Sequence, residues 1–182
     1  MKRATNEFTE TLILDANLLL EKAKSLKNLS LNQLEERPSE AAWNVLECLE
    51  HMNKYHDFYL TEIREKIQNS KHPAVPMFKS GWFGNYSAQN MLPKQEGKVN
   101  MAMKTFAAMN PKGEQLNVAV LDKFIAQTEE FIQLLTLSKK VDLGKTKCKL
   151  TIKWLKFTLG DTLLFMVNHN KRHFIQIERI LA

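Results

Sequence analysis

Two histidines, His169 and His173, stand four positions apart in the stretch "VNHNKRHFIQIERI", residues 167 to 180. An α-helix advances by about 100° per residue, so positions four apart lie on one side of it, one turn along. The apolar residues around them, Leu159, Leu163, Met166, Phe174, Ile177 and Leu181, recur at helical spacing, and both histidines fall inside that stripe rather than on the face of Lys171 and Glu178. Both therefore point inward. Two imidazoles on one apolar face each need a polar partner away from water. A shared metal ion would satisfy both, since neutral imidazole is a good ligand for zinc, nickel, copper or iron. A polar network in the core would also satisfy them, and spacing alone leaves the two readings level.

A third ligand has to come from another element. His72 sits in a proline-rich connection, which leaves His51 and His56 in "WNVLECLEHMNKYHDFYL". That segment is apolar over a broad arc centred on Val45, Leu49, Met52, Leu60 and Ile63. Projection puts His56 nearer the centre and His51 toward a flank, beside Tyr55, Phe58 and Tyr59. On projection alone His56 is the better candidate. Glu47, one turn before His51, has the chemistry of a ligand or a base, although a glutamate there is more commonly solvated. Cys48 projects away from His51 and reads as a small apolar packing residue.

The elements that must position these groups are long helices. Helical spacing runs over residues 5 to 28, from about 40 to 68, from about 114 to 137 and from about 158 to 181. Pro38 and Ser39 mark the start of the second, with Ser39 as its cap. Residues 69 to 97 hold three prolines and three glycines and read as a long crossover or lid, exceeding an ordinary helix–helix connection. Its aromatic residues Phe78, Trp82, Phe83 and Tyr86 suit either closure over a pocket or a homodimer contact. A short helix is expected in "KVNMAMKTFAAMNPKGEQL", ending near Pro111. Residues 138 to 157 form a second connection, with an extended look at "CKLTIKWLKF". Four amphipathic helices without a convincing set of strands predict an all-α four-helix bundle, and 182 residues suit one domain, 1 to 182.

Composition narrows the partners. With 44% apolar and 25% charged residues and no run of about 18 apolar residues, the chain reads as a soluble protein without a membrane span. The N-terminal segment carries Glu7, Glu10 and Asp15 among its apolar residues and shows no cleavage site, so a cytoplasmic protein is expected. Cys48 and Cys148, far apart and without a Cys-x-x-Cys spacing, fit reduced thiols there. The net charge of +6 comes with a lysine cluster at Lys139, Lys140, Lys145, Lys147, Lys149, Lys153 and Lys156. No helix-turn-helix or finger signature accompanies it, which argues against nucleic-acid binding. There is also no Gly-rich phosphate loop and no Gly-x-Ser-x-Gly elbow.

"RPSEAAWNVLECLEHM" and "LGDTLLFMVNHNKRHFIQIERIL" together resemble the DinB/YfiT-like superfamily. In its second helix a tryptophan is followed eight residues later by a histidine, as Trp43 is by His51. In its last helix His-x-x-x-His is followed by an amide and an apolar residue, as His169 and His173 are by Gln176 and Ile177. The resemblance implies an up-down-down-up four-helix bundle, a long crossover between helices two and three, and metal ligands His51, His169 and His173, with zinc or nickel as the usual metal. It selects His51 over His56. Three histidines leave a coordination position open, where water ionises near neutral pH or a substrate thiol binds as thiolate. Relatives include thiol S-transferases, a thiol-dependent isomerase and metal-dependent hydrolases. The expected activity is therefore a metal-dependent transferase or hydrolase acting on a small molecule, with a low-molecular-weight thiol as a candidate partner. Trp43, Tyr55, Tyr59 and Gln176 are the expected pocket residues. A non-catalytic binding or regulatory bundle is the alternative.

Overall fold

The periodic segments form four long helices in a computed structural model that describes residues 2–92, 105–152 and 154–182. They are α1 (Thr5–Ser25), α3 (Val45–Gln68), α5 (Ala119–Ser138) and α6 (Leu159–Ile180), with two shorter helices, α2 (Leu31–Glu35) and α4 (Trp82–Gln89). Both α1 and α3 pack against both α5 and α6, and α4 lies along α6. The apolar spacing explains the contacts. Phe8, Leu12, Ala16, Leu19 and Ala23 form the buried stripe of α1, and Leu121, Ile125, Thr128 and Leu135 lie within that of α5.

Several boundaries differ from the sequence expectation, each for a local reason. Helix α3 begins at Val45, not near residue 40, and its cap is Asn44 rather than Ser39. The Asn44 side chain accepts from the Glu47 amide at 2.8 Å while Glu47 Oε2 accepts from the Asn44 amide at 3.0 Å, a reciprocal cap that the Ser39 position lacks. The same device, Ser30 with Gln33, starts α2 inside a stretch that reads as irregular. Helix α5 starts five residues later than expected, after the Asn117 side chain accepts from the Ala119 amide at 2.9 Å. In place of the expected short helix before Pro111, the described part of that segment holds a 3-10 turn, Ala107–Met109; its residues 98–104 lie outside the described ones.

Residues 69 to 92 are more structured than a crossover reading implies. Strand β2 (Met77–Lys79) pairs antiparallel with β1 (Lys2–Ala4), Arg3 opposite Phe78, and α4 follows at once. Phe78 belongs to neither a lid nor a dimer contact. It is buried in the core, its ring 5.0 Å from that of Phe8. Trp82, Phe83 and Tyr86 are exposed. The extended stretch in the last connection is an antiparallel hairpin of β3 (Lys147–Lys149) and β4 (Lys156–Thr158), with Cys148 turned inward and the flanking lysines outward. Lys139 of the basic cluster pairs with Glu10 at 2.5 Å, and Lys153 lies outside the described residues.

Helix α6 is held at its start by a chain of contacts. Thr158 accepts from the Asp161 amide at 3.0 Å, and Asp161 Oδ2 accepts from the Thr158 hydroxyl at 2.6 Å and from the Gly81 amide at 2.8 Å. Gly160 sits so close to Phe78 that a β-carbon there would lie 2.4 Å from the ring. Together these pin β2 and the start of α4 onto the first turn of the helix that carries two of the three histidines.

Candidate metal centre

His51, His169 and His173 come together, with a potential ligand atom from each lying within 4.8 Å of the others, all three residues buried. Along both α3 and α6 they fall where residues of one apolar cluster, Tyr55 and Val167 among them, give way to those of the other, including Met52 and Phe174. Three consecutive residues of α6 divide the work around His169. Asn168 Nδ2 donates to the Ala88 carbonyl of α4 at 2.9 Å, His169 faces the cluster, and Asn170 Nδ2 lies 2.9 Å from His56 Nε2. That last contact sets the fate of His56. It is fully buried, stacked 5.4 Å from the Phe124 ring, and stands outside the cluster.

The partners of the outer nitrogens dictate where the lone pairs point. His51 Nδ1 is 2.7 Å from the Met109 carbonyl, which can only accept, so Nδ1 carries the proton and Nε2 is bare. His173 Nδ1 donates to Gln176 Oε1 at 3.1 Å, with the same consequence for its Nε2. The Nε2 atoms of His51 and His169 face each other at 3.2 Å. Two ligands of one tetrahedral ion with metal–nitrogen bonds of about 2.0–2.1 Å would stand about 3.3–3.4 Å apart, so the spacing fits a shared ion. Among the described residues, His169 Nδ1, which is buried, finds no hydrogen-bond partner.

Electrostatics keep the set neutral. Burial pushes the His173 pKa down to about 3, helped by His51 and opposed by the Gln176 hydrogen bond. Burial, then repulsion from His173 and His51, holds His169 well below the ordinary range. His51 is lowered by burial and partly restored by its bond to Met109. Three imidazoles that stay uncharged at neutral pH, with Nε2 left bare on His51 and His173, are a donor set for a divalent transition metal.

The cluster forms part of the wall of a cavity of about 480 Å³, within the usual size of a small-molecule site. Trp43 lies against His51 with ring centroids 4.8 Å apart and also faces His173 at 6.1 Å. Because α3 starts only at Val45, Trp43 belongs to the lead-in and can fold across the histidines. Tyr55 packs on His169 at 4.4 Å and lines the cavity, as do Trp43 and Gln176. Tyr59 does not line it. Its hydroxyl accepts from the Thr151 amide at 3.5 Å, beneath the hairpin side of the core.

Glu47 is neither solvated nor a ligand. It is buried and bound by the Arg37 guanidinium at 2.5 and 2.8 Å. Its burial would raise the pKa, but Arg37 and the Asn44 amide outweigh that and keep the carboxyl below its ordinary value. Trp82, Phe83 and Tyr86 are absent from the described lining, where Met91 represents that segment. Sequence reasoning missed Phe165, one turn before His169, and Arg172, three residues after it; both line the cavity, and helical spacing from His169 was the available signal. The Met109 carbonyl had no side-chain signal at all.

Fold and site thus define a predominantly helical protein with a buried three-histidine group able to hold a metal ion. The family model of the DinB superfamily matches residues 20–177, and the chain belongs to that superfamily. No curated protein and no solved structure matches it. Among the described residues, no helix is long and apolar enough to cross a membrane.

Proposed function

We propose that the protein is a metal-dependent enzyme, of thiol S-transferase or hydrolase type, acting on a small molecule in the cavity beside His51, His169 and His173. The observation that carries this reading is the convergence of three buried, neutral imidazoles, with Nε2 bare on His51 and His173, at the wall of a cavity. In a site closed for structure alone, a fourth protein ligand would be expected; among the described residues the group of metal-competent side chains is three histidines, with open space beside them. Zinc or nickel bound there supplies Lewis acidity toward a substrate oxygen or sulfur.

The chain's own residues do the rest. The Met109 carbonyl and Gln176 fix the tautomers and ring orientations of His51 and His173. Trp43, Tyr55 and Phe165 cover the histidine rings with apolar surface and keep bulk water off them. The packing of α1 and α3 against α5 and α6 supports the up-down-down-up bundle course within one domain, with a long connection between α3 and α5.

The test is metal content. Protein purified without an affinity tag should carry about one equivalent of zinc, nickel or a similar metal by mass spectrometry, before or after reconstitution, and His173→Ala should lose it while keeping its helical circular dichroism. Absence of stoichiometric metal in the reconstituted wild type sinks the reading.

A further inference from the structure

The hairpin of β3 and β4 presents a basic outer face. Cys148 and Phe157 turn inward, while Lys147, Lys149 and Lys156 are exposed. Lys149 and Lys156 stand directly opposite each other in the register, where like charges repel. Lys145 lies two residues before β3, and β2 brings Lys79 close, since a β-carbon at Gly144 would stand 3.8 Å from the Lys79 carbonyl; both lysines are exposed. The buried Glu62 accepts from the Lys149 amide at 2.7 Å and pairs with Lys66 at 3.5 Å.

Exposed aromatic rings border these lysines. Trp154, in the turn between β3 and β4, is 93% exposed and has φ 63°, a left-handed conformation that bulky residues rarely adopt. At the start of α4, Trp82 is 82% exposed and stacks on the exposed Tyr86 with centroids 6.0 Å apart. Phe83 sets its ring 5.8 Å from that of Phe157, which holds α4 against the hairpin. Exposed apolar residues gathered on one part of a surface mark an interaction site, and the charge around them selects an anionic partner. Indole and phenol rings suit the headgroup layer of a bilayer, where an apolar body and a polar edge are both accommodated, and lysines beside them are drawn to anionic lipids. Ile152, two residues before Trp154, is exposed too and has no π face on which a base could stack, which favours lipid over nucleic acid.

We propose that the β3–β4 hairpin and α4 dock the protein on an anionic phospholipid bilayer. Trp154 and Trp82 enter the headgroup layer, and Lys147, Lys149 and Lys156 face the phosphates, which relieves the repulsion between the paired lysines. Phe157 also meets Phe165 of the cavity wall at 6.3 Å, so the docked surface backs onto the wall of the metal centre. Docking does not require a bound metal.

The test is sedimentation of the untagged chain with sucrose-loaded vesicles, either of phosphatidylcholine alone or of phosphatidylcholine and phosphatidylglycerol in equal parts. Affinity for the mixed vesicles should exceed that for phosphatidylcholine by roughly ten-fold or more and fall as salt is raised. Combining Lys149→Gln with Lys156→Gln should weaken it by roughly thirty-fold, about five-fold per lysine, while the thermal midpoint stays equal or rises because the cross-strand repulsion is gone. Combining Trp82→Ser with Trp154→Ser should weaken it by roughly ten-fold and abolish the blue shift of tryptophan emission that vesicles produce in wild type. Equal binding to both compositions overturns the proposal, as does failure to sediment with the mixed vesicles or binding that is unchanged in either double variant. Tighter binding to single-stranded oligodeoxythymidine than to mixed vesicles, lost in the same variants, assigns the surface to nucleic acid and overturns it as well.

Discussion

His56 makes the fold acid-labile by a calculable amount. Its ring is fully buried against Phe124, and burial lowers its pKa from 6.5 to about 4, against a smaller upward pull from the Asn170 hydrogen bond. Between those two values the unfolded chain binds a proton at His56 that the folded chain excludes. Stability from this group is therefore complete above pH 6.5 and is lost as pH falls toward 4. At about 1.4 kcal/mol per pH unit, the total is about 3 kcal/mol. The metal-site histidines lose stability in an overlapping window, because His173 is pushed down to about 3 and His51 and His169 are also lowered. The wild-type slope consequently exceeds one proton, and only a difference isolates His56. Urea unfolding of chelator-stripped wild type and His56→Gln, followed by circular dichroism between about pH 4.5 and 6, should give slopes differing by about 1.4 kcal/mol per pH unit. Metal content of the reconstituted variant should match wild type. Equal slopes would refute the buried neutral state of His56; loss of metal in His56→Gln would refute its assignment to the core.

Three further outcomes follow from contacts around the site. Gln176→Leu removes the acceptor from His173 Nδ1 and should weaken metal binding by roughly ten-fold, measured by competition with a chromogenic chelator, without altering the far-ultraviolet spectrum. Gly160→Ala drives a methyl into the Phe78 ring and should cost about 1–2 kcal/mol after its gain in helix propensity; in thermal unfolding, Phe78→Leu in the same chain should recover part of that loss. Arg37→Ala leaves the buried Glu47 carboxylate without its guanidinium. It should destabilise by about 2 kcal/mol in urea at neutral pH, less than the roughly 3–5 kcal/mol of a fully buried pair because Arg37 is partly exposed.

The residues differ in how much of this could be read ahead. The long helices were legible because the stripe of α1, from Phe8 to Ala23, repeats its signal over about four turns. The strands β1 and β2 were not, since three residues contain no measurable period and the partner of Arg3 is seventy-five positions away. The expected cap at Ser39 lost to Asn44 through Glu47, a residue whose carboxylate reads as solvated until Arg37 is seen to grip it ten positions upstream. Tyr59 illustrates the limit of projecting a face. It lies one turn beyond Tyr55 and stacks with it at 6.1 Å, yet the hairpin closes over its hydroxyl while Tyr55 borders open space.

The same limit decides between the histidines of α3. His51 and His56 are both buried, and helical projection ranks His56 deeper, which the structure bears out. Depth is the wrong criterion for a metal ligand, which needs its bare nitrogen at the border between packed core and reachable space. His56 meets Asn170 and Phe124 and is sealed there; His51, five residues earlier, meets the Met109 carbonyl on its outer nitrogen and His169 on its inner one. A residue on the flank of the apolar arc reaches the cavity because the flank is where the cavity begins. The carbonyl that sets its tautomer belongs to a turn more than fifty positions away, so the ligand was identifiable from the family resemblance that Trp43 and His51 carry, whereas the device that orients it required the fold.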